Sequence, residues 1–208
     1  MRKNSIFSRC SIGGTQMIPQ KGASLIVVMM ILTIVSLLGI AGIQISTMAE
    51  RGARNDRDQQ VAWQSAEAAL VDAEFDMYLS TTSPRQTRFK EAVDITGFLP
   101  GCGTSGNDVG LCALVSTGKP AWLTVDFTIT GNSAPTTVFG KYTNRAFTAG
   151  GAGIQPAKPP RYVMEPLRDP GDRDLGSSTP KYIYRVTAMG FGPRNDIQAV
   201  TQMIYRVP

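Results

Sequence analysis

Between Ala23 and Ala49 the chain carries no charged residue, and few folds can hold such a stretch in water. Leu25 to Ile45 alone is 21 residues. As a helix at ~1.5 Å per residue it measures about 31 Å, enough to cross the hydrocarbon core of a bilayer. A cleaved secretory signal has an apolar core of only ~7–15 residues and a small-residue exit such as A-x-A; neither is present. Arg2, Lys3, Arg9 and Lys21 precede the run with no acid among them. That asymmetry predicts an N-terminus held in the cytoplasm, with the rest of the chain across the membrane.

The same distribution argues against a nucleic-acid partner. The 208 residues carry a net charge of +5, but +4 of it lies in residues 1–22. Everything after Gly22 nets +1, so no basic patch for nucleic acid is expected. There is no histidine, which removes the commonest general base and the commonest metal ligand. With no phosphate-binding loop and no convincing carboxylate pair, an enzyme has little support, and no cofactor or metal is implied. Of the three cysteines, Cys10 lies before the apolar run, on the reducing side. Cys102 and Cys112 lie well beyond it, where a disulfide between them fits an extracytoplasmic domain.

On the apolar run alone an uncleaved anchor would suffice. The chain continues as a helix, however, because no proline stands between Pro19 and Pro84. In "AERGARNDRDQQVAWQSAEAALVDAEFDM" (Ala49–Met77), Ala62, Trp63, Ala66, Ala69, Leu70, Ala73 and Met77 recur at three- and four-residue steps, a stripe for packing. Arg57, Gln60, Gln64, Glu67 and Glu74 fall largely on the other side. One helix from Ala23 to about Leu79 is expected, lipid-compatible in its first half and amphipathic in its second. Gly39, Gly42 and Gly52 suit close approach of a neighbouring helix better than a hinge.

A long helix, apolar then amphipathic, that begins just after Lys-Gly resembles the type IV pilins and pseudopilins. "NDRDQQVAWQSAEAALVDAE" (Asn55–Glu74) is similar to the N-x-R-D…A-F-Q-A-A-E-A-A-L…A-E stretch of the PilX minor pilins, with Trp63 in place of phenylalanine and Ser65 of alanine. Weaker matches are "GLC" (Gly110–Cys112), "RYVME" (Arg161–Glu165) and "YRVTAMGFG" (Tyr184–Gly192). The resemblance implies cleavage by prepilin peptidase between Gly22 and Ala23, followed by N-methylation of Ala23. It implies a non-enzymatic subunit that primes pilus assembly and supports twitching motility, adhesion and DNA uptake. Its partners would be prepilin peptidase, other minor pilins, the major pilin and a large tip adhesin, with the membrane holding the unassembled subunit.

Two departures from the family pattern matter. The 22-residue leader is long, and a start at Met17 would leave the short leader "MIPQKG" and remove Cys10. Val27 stands where most pilins carry a glutamate that neutralises the amine of the preceding subunit. A subunit without that carboxylate has no such need to dock beneath a predecessor, which suggests a place at or near the pilus tip.

The expected fold is α+β: residues 1–22 as leader, 23–79 as the pilin helix with its transmembrane part at 25–45, and 80–208 as a periplasmic head with a small antiparallel sheet on the amphipathic half of the helix. "TTSP" (Thr81–Pro84) ends the helix. "WLTVDFTI" (Trp122–Ile129) and "TTVFGKYT" (Thr136–Thr143) read as one hairpin; "KYIYRVTAM" (Lys181–Met189) and "IQAVTQMIYRV" (Ile197–Val207) read as a second. In the last strand Ile197, Ala199, Thr201, Met203 and Tyr205 share a face, and Val200 and Ile204 among glutamines suggest partial cover of the other. Helix-to-head packing is assigned to Trp63, Ala66, Leu70, Ala73 and Met77. A Cys102–Cys112 bridge would close an 11-residue loop, worth about 2.8 kcal/mol in the chain-entropy model; C-x₉-C lacks the paired spacing of a zinc site.

Two irregular stretches remain, Asn144–Pro160 and Pro166–Pro180. Asp169, Asp172 and Asp174 in the second carry calcium-type oxygens. Their spacing departs from an EF-hand, and Arg168 and Arg173 sit among them, so a solvated loop is expected. Three readings stay open on these residues: a PilX-like minor pilin, a tip pseudopilin of a type II secretion system, and an uncleaved membrane-anchored binding protein.

Overall fold

With no proline to interrupt it from Ser24 onward, the backbone forms helix α1 over Ala23–Glu74. In this computed structural model residues 23–80, 83–89, 95–151, 153–171 and 181–208 are described. The last turn of the helix widens into a π-helical turn, Phe75–Leu79, and ends where Ser80 turns extended and its N–H donates to the Phe75 carbonyl at 2.8 Å. The molecule divides into two compact units, Met1–Glu50 and Arg51–Pro208. In the first, every described side chain from Ser24 on is exposed.

The second unit, the head, is built on a four-stranded antiparallel meander. Its strands β1 (Thr137–Val138), β2 (Arg161–Arg168), β3 (Tyr182–Phe191) and β4 (Gln198–Tyr205) lie side by side in chain order. The β3–β4 hairpin turns at Gly192–Ile197, where the Gly192 N–H donates to the Ile197 carbonyl at 2.8 Å, and its register sets Ala188 opposite Thr201. Beyond the two residues of β1, the same edge of β2 is taken by Gly110–Cys112: Met164 N–H donates to Gly110 and Cys112 N–H donates back to Met164. Gly110 has φ +75°, and a Cβ there would meet the Thr137 backbone and hydroxyl and the Tyr162 carbonyl, so only glycine fits.

Each face of the sheet is covered differently. On one, Tyr162, Met164, Tyr184, Val186 and Ala188 pack against Ala69, Ala73 and Met77 of α1, with Phe89 and Phe98 closing the end. Alternation turns Val163 to the other face, where it meets Cys102, Cys112, Ala121 and Phe127. The short helices α2 (Gln86–Phe89) and α3 (Ala121–Thr124) belong to these covering layers.

Three expectations are corrected here. Trp122–Ile129 and Thr136–Thr143 do not form a hairpin. Pro120 opens α3 instead, and only Thr137–Val138 is strand. The β-prone residues of that stretch serve as a plug, with Ala121 and Phe127 buried over the disulfide. Pro166 does not begin an irregular segment, because β2 continues through it to Arg168 and pairs it with Tyr184. The outward face of β4 is open: Val200 and Ile204 are 45 % and 58 % exposed. The Asn144–Pro160 stretch has no helix or strand among its described residues.

Candidate functional site

For a chain of this composition the functional parts are surfaces and seams. The first is the apolar segment. Its hydroxyls are satisfied inside the helix: Thr33 Oγ1 donates to the Met30 carbonyl at 2.8 Å, Ser36 Oγ to Leu32 at 2.7 Å and Thr47 Oγ1 to Gln44 at 2.9 Å. Those bonds remove the main cost of placing serine and threonine in hydrocarbon. The N-terminal helix is long and apolar enough to form a single membrane span. A Cβ at Gly39, Gly42 or Gly52 would meet nothing within 4 Å, so these positions are unfilled in the lone chain. Gly22 lies outside the described residues, and Ala23 is the first residue of α1.

The second is the seam between helix and sheet. Ala62, Ala66, Ala69, Ala73 and Met77 are fully buried, and Leu70 is partly buried against the same core. Alanines let the backbones approach closely, and Gly190 of β3 completes the fit: a Cβ there would strike the Ala62 carbonyl and the Ala66 backbone. Trp63 is a correction. It is 51 % exposed, and its indole N–H donates to Glu67 on the same helix at 2.6 Å. The buried face is turned away from it, toward Ser65, Asp72 and Asp76.

Those aspartates hold a buried polar network that the residue pattern did not announce. Asp76 accepts from Ser83 Oγ at 2.7 Å, from Tyr162 OH at 3.0 Å, and from Arg85 through both Nε and Nη2. Arg85, fully buried, donates from Nη1 to the Val109 carbonyl at 2.6 Å and lies over the Tyr142 ring at 3.8 Å. Burial works against the Arg85 charge, but the Asp76 carboxylate, with Tyr162 and Tyr142 adding to it, outweighs that and holds the pKa above its ordinary value. Tyr162 is pushed well above the usual phenol range by burial, with the Asp76 charge adding to it.

One turn earlier, Asp72 accepts from Thr143 Oγ1 at 2.5 Å and the Gly140 N–H at 2.8 Å, with Arg145 at 3.5 Å. Burial still raises its pKa, since those donors offset only part of the desolvation. On the far face Glu165 takes Arg185 at 2.9 Å and the Ala121 N–H at 3.2 Å. The two helix aspartates and Glu165 thus each fasten a loop to a regular element. Their separations in sequence, up to 86 residues for Asp76–Tyr162, explain why no local spacing announced them.

Cys102 and Cys112 are joined by a disulfide with Cα atoms 4.0 Å apart. It closes the loop whose Asn107–Val109 backbone receives Arg85, so the bridge and the buried ion pair brace one segment. Asp169 is engaged by Arg206 and the Gly171 N–H, each at 2.8 Å, while Asp172 and Asp174 lie outside the described residues. Among the described residues no group of three or more His, Cys, Asp or Glu is placed to hold a metal ion. A groove of about 360 Å³ is lined by Ile95, Phe98, Leu114, Pro166, Arg168 and Tyr182.

Comparison with known proteins agrees with this architecture. The model described as PilX N-terminal matches residues 21–71, and that described as Type IV pilus assembly protein PilX C-term matches residues 108–207. The second covers the stretch from 113 to 160, for which no local motif offered an alignment. No curated protein and no solved structure matches the chain. Two matches that together take in the helix and most of the head identify the chain as a member of the PilX family, a minor pilin of the type IV pilus assembly system whose members are structural subunits and not enzymes.

Proposed function

We propose that this subunit primes pilus assembly at or near the fibre tip. Val27 carries that reading. A carboxylate within hydrocarbon costs about 2.5–3.5 kcal/mol even on lenient scales unless it is paired, and the family's glutamate is paired with the amine of a subunit already in the fibre. Valine has neither the cost nor the need, so the subunit can enter the membrane complex with no predecessor above it. Leader residues 1–22 are removed by prepilin peptidase after Gly22, and Ala23 is N-methylated. The basic leader holds the N-terminus in the cytoplasm, the helix spans the inner membrane, and the head stands in the periplasm before passing into the fibre. Its partners there are the other minor pilins, the major pilin and a large tip adhesin, and the function it serves is twitching motility and adhesion.

The mass of the N-terminal peptide from membranes and from sheared surface fibres tests this. N-methylated Ala23 at the mature terminus, in small amounts beside the major pilin, is the expected result. A chain that still carries Lys21–Gly22 and occurs only in membranes contradicts it. Immunogold labelling spread along the shaft would contradict the tip placement alone.

A further inference from the structure

Between Phe127 and Met164 the chain has four bases, Lys141, Arg145, Lys158 and Arg161, and no acid. Folding brings two of them together. Val138 pairs with Arg161 across β1–β2, and the Lys141 N–H donates back to the Val138 carbonyl at 3.2 Å, so the turn after β1 sets Lys141 beside Arg161. Arg161 is 7 % exposed, and among the described residues its guanidinium is fixed by Thr136, with Nε to the hydroxyl at 2.5 Å and Nη2 to the carbonyl at 2.6 Å. These partners orient the group without neutralising it.

The carboxylates of this part of the head are committed elsewhere: Asp72 to Thr143 and Arg145, Asp76 to Arg85, Asp108 to Arg88 and Glu165 to Arg185. Among the described residues, then, no acid lies within ion-pair distance of Lys141 or Arg161. Burial first, then the nearby Arg85 and Arg161 charges, press the Lys141 pKa downward. A buried cation left without a counter-charge is costly, and an exposed lysine beside it is where a counter-charge can arrive.

We propose that Lys141 and Arg161 form a docking site for a carboxylate side chain presented by another pilin subunit. The inference rests on the minor-pilin reading and names one surface it uses. Lys141 supplies the accessible ammonium on one side of the Tyr142 ring, 5.5 Å from its centroid, with Arg85 over the same ring. Arg161 stands behind, pre-oriented by Thr136, and adds field without having to move. The geometry disfavours a phosphate backbone, which needs a row of exposed cations. Arg161 is recessed, Arg145 is occupied by Asp72 and by the rings of Phe75 and Phe139, and Lys158 lies against Phe191.

The test compares the full-length wild type with Lys141→Glu and Lys141→Arg, each expressed in the native cell. The measurement is the ratio of subunit in sheared fibres to subunit in membranes. Lys141 is exposed, so the variants should accumulate in membranes at wild-type level. Lys141→Glu is expected to lower the ratio about tenfold or more, because it sets like charges face to face, and Lys141→Arg to keep it. An acid-to-base substitution in another pilin that restores Lys141→Glu would identify the partner. Unchanged incorporation of Lys141→Glu overturns the proposal. So does a DNA duplex retarded by purified full-length protein and released by Lys141→Glu, which would make the site one for nucleic acid. Wild type absent from sheared fibres would instead remove the minor-pilin reading, and this proposal with it.

Discussion

At residue scale the head depends on charges placed where a helix ordinarily puts alanine or leucine. Asp76 and Arg85 are both fully buried, and each fills the hydrogen-bonding needs of the other together with Ser83, Tyr162 and Val109. Removing one partner of such a pair leaves an uncompensated buried charge, at a cost of about 3–5 kcal/mol. Asp76→Ala should therefore lower head stability by that amount in urea unfolding followed by tryptophan fluorescence. The double variant Asp76→Leu, Arg85→Met should lose much less than the two single losses added, since it removes the unpaired charge as well as the pair. Equal and additive losses would mean that the pair is incidental. Neither Asp72 nor Asp76 was legible as a buried position, because in a helical repeat an aspartate reads as solvent-facing. Trp63 was misread for the converse reason: its size suggested core, while its angle on the helix places it outside.

At the scale of elements, the joint between α1 and the sheet is narrow because both sides lack bulk. Gly190 faces the Ala62 carbonyl and the Ala66 backbone, which cannot swing aside as a side chain would. Gly190→Ala should cost about 1–3 kcal/mol through overpacking. Gly52→Ala, in open space on α1, should gain about 1 kcal/mol of helix propensity. Thermal melts of the two variants against wild type check both signs, and a neutral Gly190→Ala would mean the joint has slack. The β3–β4 hairpin was readable from sequence because two β-prone runs flank a short turn-forming stretch. The Trp122–Thr143 stretch was not. Its β-prone residues satisfy packing over the disulfide, and a proline-led helical turn served that better than a strand.

For the whole molecule, the α+β plan of a long helix on a small sheet was legible because the apolar run and the stripe after it are both long-range patterns. The division of labour within that plan is sharper than the sequence suggested. The helix residues buried in the core begin at Ala62, and the compact head begins at Arg51. A fragment of residues 51–208 should therefore fold by itself and melt in one cooperative transition by circular dichroism; a broad, non-cooperative melt would mean the apolar segment is needed for the fold.

The seam joins the helix near residues 62–77 to strands more than a hundred residues further along, β3 and β4. During synthesis the helix emerges well before these strands. Until they arrive the alanines of the seam lack the sheet they pack against, although Asp76 already has Ser83 and Arg85 close behind it. Contacts so distant along the chain close late. The nascent subunit thus passes through a vulnerable interval in which its helix is complete and its head is not, and the arrival of β3 and β4 ends it.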